Sequence, residues 1–337
     1  MDLMKTMSNA NNGKLRVGLI GLGKMGLLHA SLLNFMPNVQ LVGLCDKSWL
    51  MRKLAKNTLK GPLVTDKLEK FSKLNLDVVY VNTPIPSHYS IVKEIYTKEI
   101  ARNVFVEKTL SSNYIQSEEL CNLAIASLGH TMVGYMKRFS VTFRKAKELL
   151  DQGVLGSVLS FDAYAYSSDF FGVQRKSVSS GRGGVLEDLG SHVSDLALWY
   201  FGDLLSPIKV SLSTDSGPDS VKFEIVGSND FTGKFDFSWV KEGYRMPEFG
   251  IVIRGTKGSI KVDDNELVFA LDNVQPKTWY RQDLDDHVGF LLGDSEYFRE
   301  NDHFIKSILS NSESEPSFQT AAKVDYLLEQ VRRKTNE

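Results

Sequence analysis

Cysteine is nearly absent: Cys45 and Cys121 are the two among 337 residues. They are too few for a disulfide framework and suit a reducing compartment, so the cytoplasm is the expected location. Excess charge of either sign is lacking too, because 40 Lys+Arg offset 41 Asp+Glu to a formal net charge of −1. The sequence pI is about 6.6. No global positive field exists to hold nucleic acid or an anionic membrane, and neither is an expected partner. No run reaches the ~18 apolar residues of a membrane span. Residues 1–14, MDLMKTMSNANNGK, have no apolar segment and read as a polar tail rather than a signal peptide. Internal repeats and low-complexity stretches are missing. So is a cysteine and histidine pattern of the kind zinc requires, and no metal is expected.

What is present is the composition of an ordinary globular protein, 42% hydrophobic and 24% charged. The length exceeds one ordinary core and fits two domains. Residues 15–29, LRVGLIGLGKMGLLH, read as a strand, a tight turn and a helix. The turn is Gly21-Leu22-Gly23-Lys24-Met25-Gly26. In that context Gly21 permits the sharp turn, Gly23 lets backbone approach a pyrophosphate, and Gly26 lets helix and strand pack closely. The helix N-terminus offers N–H groups and a positive dipole end to an anion. Asp46 closes the next strand, VQLVGLCD, about 20 residues after Gly26, where a carboxylate accepts from a ribose diol. It favours NAD over NADP, although Lys47 and Arg52 are placed to meet a 2′-phosphate.

A βα alternation follows. SWLMRKLAKN reads as a helix, PLVTD and DVVYVN as strands, 88–98 as a helix, NVFVEK as a strand, 112–127 as a helix and HTMVGY as a strand. This predicts a doubly wound, mostly parallel sheet of about six strands over residues 14–136, a Rossmann domain. Ligands of such sheets sit outside the carboxyl ends of the strands. The candidates there are the glycine loop, Asp46, Asn82-Thr83-Pro84, Glu107-Lys108 and the stretch from Tyr135 to Arg138. His29 and His88 are placed at helix starts near that crevice, both more in keeping with structure than with catalysis.

From residue 137 to 337 the pattern changes. After a helix at VTFRKAKELLDQG, the segments VLSFDAYAY, IKVSLST, VKFEIV, TGKFDFSWV, FGIVIRG, SIKVDD and ELVFAL alternate apolar and polar residues. This predicts an α+β domain with a large, predominantly antiparallel, open sheet. Helices are expected around 193–200, 295–310 and 317–333, the last two with the option of packing back on the first domain. Asp188, His192 and Asp195, spaced by four and three, would share one helix face. A carboxylate one turn from an imidazole can orient it as a general base. For an isolated Asp-x-x-x-His the plainer alternative is a helix cap and a packed histidine. Phe170, Phe171 and Trp199 could wall a pocket, with core and loop packing as their simpler roles. Residues 164–180, Pro247 and 281–290 would complete it.

The glycine loop, the VNTP turn followed by His88, the Glu107-Lys108 pair and GGVLEDLGSHVSDLALWYFG together resemble the glucose–fructose oxidoreductase, inositol dehydrogenase and rhizopine-catabolism (Gfo/Idh/MocA) family, over nearly the whole chain. The resemblance implies Lys108, Asp188 and His192 as the catalytic set. It assigns the cofactor to Gly21, Gly23, Lys24, Met25, Gly26, Asp46, Lys47, Asn82, Thr83, Pro84, His88, Glu107 and Lys108. The substrate falls to Lys108, Tyr135, Arg138, Asp188 and His192. Thr109 departs from the family's usual proline and leaves the backbone there freer. The implied activity is an NAD- or NADP-dependent hydride transfer at a secondary hydroxyl of a sugar, sugar derivative or cyclitol. A non-carbohydrate substrate and a dinucleotide-binding regulator without turnover are the alternatives. Assembly as a homodimer or homotetramer through the antiparallel sheet is expected.

Overall fold

The computed structural model describes residues 13–169, 171, 183–205, 208–212, 219–284 and 295–336. Phe170, most of the 164–180 loop's second half and residues 285–290 of the expected pocket rim lie outside them.

The first domain is a six-stranded parallel sheet: β1 (Leu15–Ile20), β2 (Val39–Cys45), β3 (Leu63–Thr65), β4 (Val78–Val81), β5 (Asn103–Glu107) and β6 (Thr131–Gly134). Its order is β3-β2-β1-β4-β5-β6. Central strands covered on both sides are uniformly apolar. β4 is buried at every position, and β5 ends on a buried glutamate. Helices α1 (Lys24–Phe35), α2 (Trp49–Thr58), α3 (His88–Thr97) and α4 (Tyr114–Ser127) supply the crossovers. The order reverses between β1 and β4, and this reversal opens the ligand crevice of such sheets. Both chain exits at the reversal are pinned: Gly21 N–H donates to Cys45 O at 2.8 Å and Asn82 N–H to Ile20 O at 2.8 Å.

The second domain begins with α5 (Val141–Asp151) and β7 (Val158–Tyr166). A π-turn, Leu186–Gly190, runs into α6 (Ser191–Phe201). There follow β8 (Lys209–Leu212), β9 (Ser220–Val226), β10 (Thr232–Ser238), β11 (Glu248–Gly255), β12 (Gly258–Asp263), β13 (Glu266–Leu271) and β14 (Lys277–Tyr280). The eight-stranded sheet has the order β14-β13-β12-β11-β7-β10-β9-β8, antiparallel except for the β7–β10 pair. β14 is absent from the sequence reading, because Lys-Thr-Trp-Tyr is a half-exposed edge strand without alternation. One sheet face is apolar: Phe161 stacks on Phe201 at 4.7 Å and Phe223 on Phe235 at 4.4 Å. The other carries charged cross-strand pairs, Lys222 with Asp236, Lys234 with Glu224 and Arg254 with Asp162.

The chain closes with α7 (Ser295–Ser310) and α8 (Phe318–Asn336), and both return to the first domain. α7 packs on α1, and α8 on α4 and β6. Asp325 of α8 accepts from Ser117 Oγ at 2.6 Å, and Tyr114 meets Tyr326 edge to face. The crevice is therefore framed by both ends of the chain.

Candidate active site

The glycine loop has the geometry its sequence implies. Gly21 has φ +89°, and a Cβ there would lie 2.6 Å from Asn82 O. A Cβ on Gly26 would lie 1.9 Å from Gly21 O. At Gly23, by contrast, a Cβ would meet no atom within 4 Å, so the space over the α1 N-terminus is open. That N-terminus has no side-chain cap, which leaves its N–H groups to an anion. Lys24 and Met25 form its first turn, Lys24 exposed and Met25 half-buried.

Asp46 lies between this loop and the start of α2. Its Oδ2 accepts Leu22 N–H and its Oδ1 Ser48 N–H, each at 2.6 Å. Arg52 donates to the carbonyls of Asp46 and Lys47 at 2.8 Å, so its guanidinium faces backbone rather than the crevice. Lys47 is exposed beside it. Asn82 is buried, and neither its amide nitrogen nor its oxygen has a partner among the described residues. A buried amide in that state needs a ligand or water. Thr83 accepts from Ser87 Oγ at 2.8 Å, and Pro84 is exposed. The open cradle at Gly23, the uncapped helix and the unmet Asn82 amide fit a dinucleotide.

His88 starts α3 and is fully buried. Its ring bridges Thr83 O at 2.6 Å and Thr109 O at 2.8 Å, tying the 82–84 turn to the segment after Lys108. Burial pushes its pKa down, against the pull of those two carbonyls. The freedom expected at Thr109 is thereby removed: its carbonyl accepts from His88 and its hydroxyl donates to Ser111 O at 3.0 Å. The Lys108–Thr109 peptide is cis. His29 differs from the sequence reading, since it lies in the second turn of α1 and faces inward.

Lys108 reaches across the domain boundary. Its Nζ donates to Asp188 O at 2.8 Å and Oδ1 at 3.0 Å. Asp188 Oδ2 accepts from the indole of Trp239, just past β10, at 3.2 Å. No hydrogen bond joins Asp188 to His192, contrary to the shared helix face read from the sequence. The π-turn is the cause, because its wider turn rotates Asp188 away from His192. His192, 5% exposed, is held edge to face by Tyr135 at 6.1 Å and Phe249 at 5.2 Å. Its Nδ1 is sealed and without a partner among the described residues. Burial drives its pKa well below the usual range, and the Lys108 and Lys137 ammonium groups push it the same way. A neutral imidazole beside an ammonium is an acceptor for a hydroxyl proton.

Arg138 departs from its expected place at the substrate. It forms a buried fork with Asp195, at 2.7 and 2.6 Å, and covers Trp199 at 5.6 Å. A guanidinium committed to a bidentate buried carboxylate braces α6. Tyr135 is likewise sealed, its ring against His192. Glu107, read as a cofactor residue, turns its carboxylate inward to His29 at 2.9 Å. Trp239 and Lys137 were missed. Trp239 continues the inward alternation Phe235, Phe237, and that signal could have placed its indole beneath the site. Lys137 bonds Asp264 at 2.5 Å and covers Phe249 at 4.8 Å.

Residues 15–135 match the oxidoreductase family model with an NAD-binding Rossmann fold, and 143–261 match the GFO/IDH/MocA C-terminal domain. An inositol 2-dehydrogenase of Rhizobium meliloti is 23% identical over 323 residues, 90% of this chain and 91% of that protein. An oxidoreductase domain protein from Kribbella flavida superposes with a TM-score of 0.84 at 22% identity, covering 96% of this chain and 97% of that one. Levoglucosan dehydrogenase in complex with NADH gives 0.82, also at 22% identity and with the same coverage. With both domain models matched in order and the dinucleotide cradle in place, the chain belongs to the GFO/IDH/MocA family of NAD-binding oxidoreductases.

Proposed function

We propose that the protein moves a hydride between NAD and a secondary carbinol of a sugar, sugar derivative or cyclitol. The observation that carries this reading is the Lys108–Asp188 pair, 3.0 Å apart beside a His192 kept neutral by burial and two ammonium groups. The names of the R. meliloti inositol 2-dehydrogenase and of levoglucosan dehydrogenase support the substrate class.

The glycine loop and the α1 N-terminus would hold the pyrophosphate, Asp46 the adenosine ribose, and Asn82 would supply its unmet amide. Bound NAD supplies the hydride acceptor. His192 takes the hydroxyl proton, and Lys108 donates a charged hydrogen bond to the same oxygen, where negative charge develops. Asp188 does not orient the imidazole but holds the lysine, and Trp239 holds Asp188. Arg138 with Asp195, and Tyr135, keep α6 and its histidine in register. Asp46 favours NAD, since a 2′-phosphate would face its charge. Cytoplasmic placement, and pairing of copies through the charged face of the eight-stranded sheet, complete the proposal. Light scattering at micromolar concentration tests the second, and a monomeric mass overturns it.

The deciding experiment mixes protein, NAD and a panel of polyols and cyclitols and follows absorbance of the reduced cofactor. Turnover on a carbinol supports the reading. NAD binding with no turnover across the panel overturns it in favour of a regulator or of an oxidoreductase with a different substrate class.

A further inference from the structure

Lys108 is the end point of a hydrogen-bond chain that starts on α7. His29 is fully buried, enclosed by Phe105 at 5.1 Å, Tyr80 at 5.8 Å and Tyr297 at 6.2 Å. Both ring nitrogens are occupied: Nε2 lies 2.9 Å from Glu107 Oε1 and Nδ1 3.0 Å from Asn301 Oδ1. The amide nitrogen of Asn301 donates to Tyr297 O at 2.6 Å, which fixes its oxygen toward the ring. Nδ1 therefore carries a proton. One further proton lies between Nε2 and Glu107, whether as imidazolium with carboxylate or imidazole with carboxylic acid. Either way the pair is neutral and clamped.

The other oxygen of Glu107 accepts the backbone N–H of Lys108 at 3.2 Å. Neighbouring Glu300, also fully buried, has neither carboxyl oxygen bonded among the described residues, and burial raises its pKa well above the usual range. It is neutral there and leaves the clamp uncontested. A site walled by three aromatic rings would accept an apolar side chain for packing alone. The imidazole instead joins three distant segments at the residue that precedes Lys108.

We infer that His29 is a positioning residue for Lys108. It fixes Glu107, Glu107 fixes the backbone amide of Lys108, and Asn301 makes α7 part of that control. The inference rests on the reading of Lys108 as catalytic, so one arm of its test needs no substrate.

That arm measures how fast trinitrobenzenesulfonate modifies Lys108, by mass spectrometry of its peptide, in the full-length protein and in His29→Leu. A lysine released from its ion pair reacts faster. Asn301→Leu, which loosens the clamp from its other end, should act in the same direction and less, and it serves if His29→Leu does not fold. Unchanged labelling in the folded variants overturns the inference. The second arm compares turnover and NAD affinity. His29→Leu should lower kcat on the best carbinol by on the order of a hundred-fold, the effect of displacing a catalytic group by about 1 Å, with NAD affinity little changed. In a Lys108→Met background the same change should cost nothing more, because the two residues act as one unit. Losses that multiply in the double variant assign His29 a general structural role and overturn the inference. If the protein turns over no carbinol at all, the functional reading fails while the labelling result still decides the role of His29.

Discussion

Trp239 donates its indole N–H to Asp188 Oδ2 at 3.2 Å, on the other oxygen from the one that Lys108 holds. The second sheet thus supports a lysine that belongs to the first. Replacing Trp239 by Phe keeps most of the ring and leaves one carboxylate oxygen without that donor. A buried acceptor stripped of its partner costs about 1–3 kcal/mol. Denaturant unfolding should show a loss of that size, and turnover should fall while NAD affinity holds. Unchanged unfolding and turnover would show that Asp188 needs only Lys108.

A second prediction separates cofactor holding from chemistry. Lys108→Met and His192→Asn should leave NAD binding nearly intact and each cut turnover by roughly 10²- to 10⁴-fold, the usual range for a general base. Their combination should lose less than the product of the two. Isothermal titration with NAD, alongside initial rates on the best carbinol, checks both halves. Full turnover in His192→Asn with an unaltered pH profile would make His192 a packed core histidine.

Both residues of the Lys108–Asp188 pair were legible as candidates, yet their contact was not. Periodicity reports which face a residue occupies and says nothing of its partner 80 residues away. Gly21, Gly23, Gly26 and Asp46 were legible because their roles depend on local backbone geometry, which the motif encodes. The apolar runs of β4 and β5 and the alternation of β7 and β10 were legible for the same local reason. Asp188 and His192 were assigned to one face on an ordinary helical turn, and the π-turn at Leu186–Gly190 has no period to announce it. Arg138 was placed at the substrate because its position in sequence fits, whereas Asp195 claims it from 57 residues further along.

That fork makes the third prediction. Arg138→Met would leave Asp195 buried without its countercharge, and breaking one partner of a buried pair costs about 3–5 kcal/mol. Burial already pushes the Asp195 pKa up, so the carboxyl should take a proton when the guanidinium is gone. Thermal unfolding should therefore show a large loss at pH 8 and a smaller one at pH 5.5. Adding Asp195→Leu should recover part of the stability, which a substrate-binding arginine would not predict.

The fourth prediction concerns pH and the helix that returns to the first domain. Asp325 is fully buried on α8, accepts from Ser117 Oγ at 2.6 Å and Ser111 N–H at 3.3 Å, and has its pKa raised by burial to about 7. Between its ordinary value near 4 and about 7 the folded protein keeps a proton that the unfolded chain has released. Its contribution is then fully present below the unfolded pKa and is lost as pH rises through about 7. His192 and His88, both with pKa values lowered by burial, have the opposite sign. Below about 6.5 the unfolded chain binds protons that the folded one refuses, so these two lower stability as the solution is acidified. Two histidines outweigh one carboxyl there, and above it the carboxyl acts alone, so the stability maximum should fall just below neutrality. Asp325→Asn keeps an oxygen for Ser111 and Ser117 and removes the titration, so the decline toward pH 7 should vanish and the acid limb should steepen. Each tenfold change in proton affinity is worth about 1.36 kcal/mol, which makes the gain at pH 8 on the order of a few kcal/mol and roughly half of that at pH 5.5. Guanidinium unfolding of both proteins across pH 5–8.5 reads this directly. Parallel curves would mean that Asp325 is ionised in the fold, with its charge held by Ser111, Ser117 and the nearby Arg332.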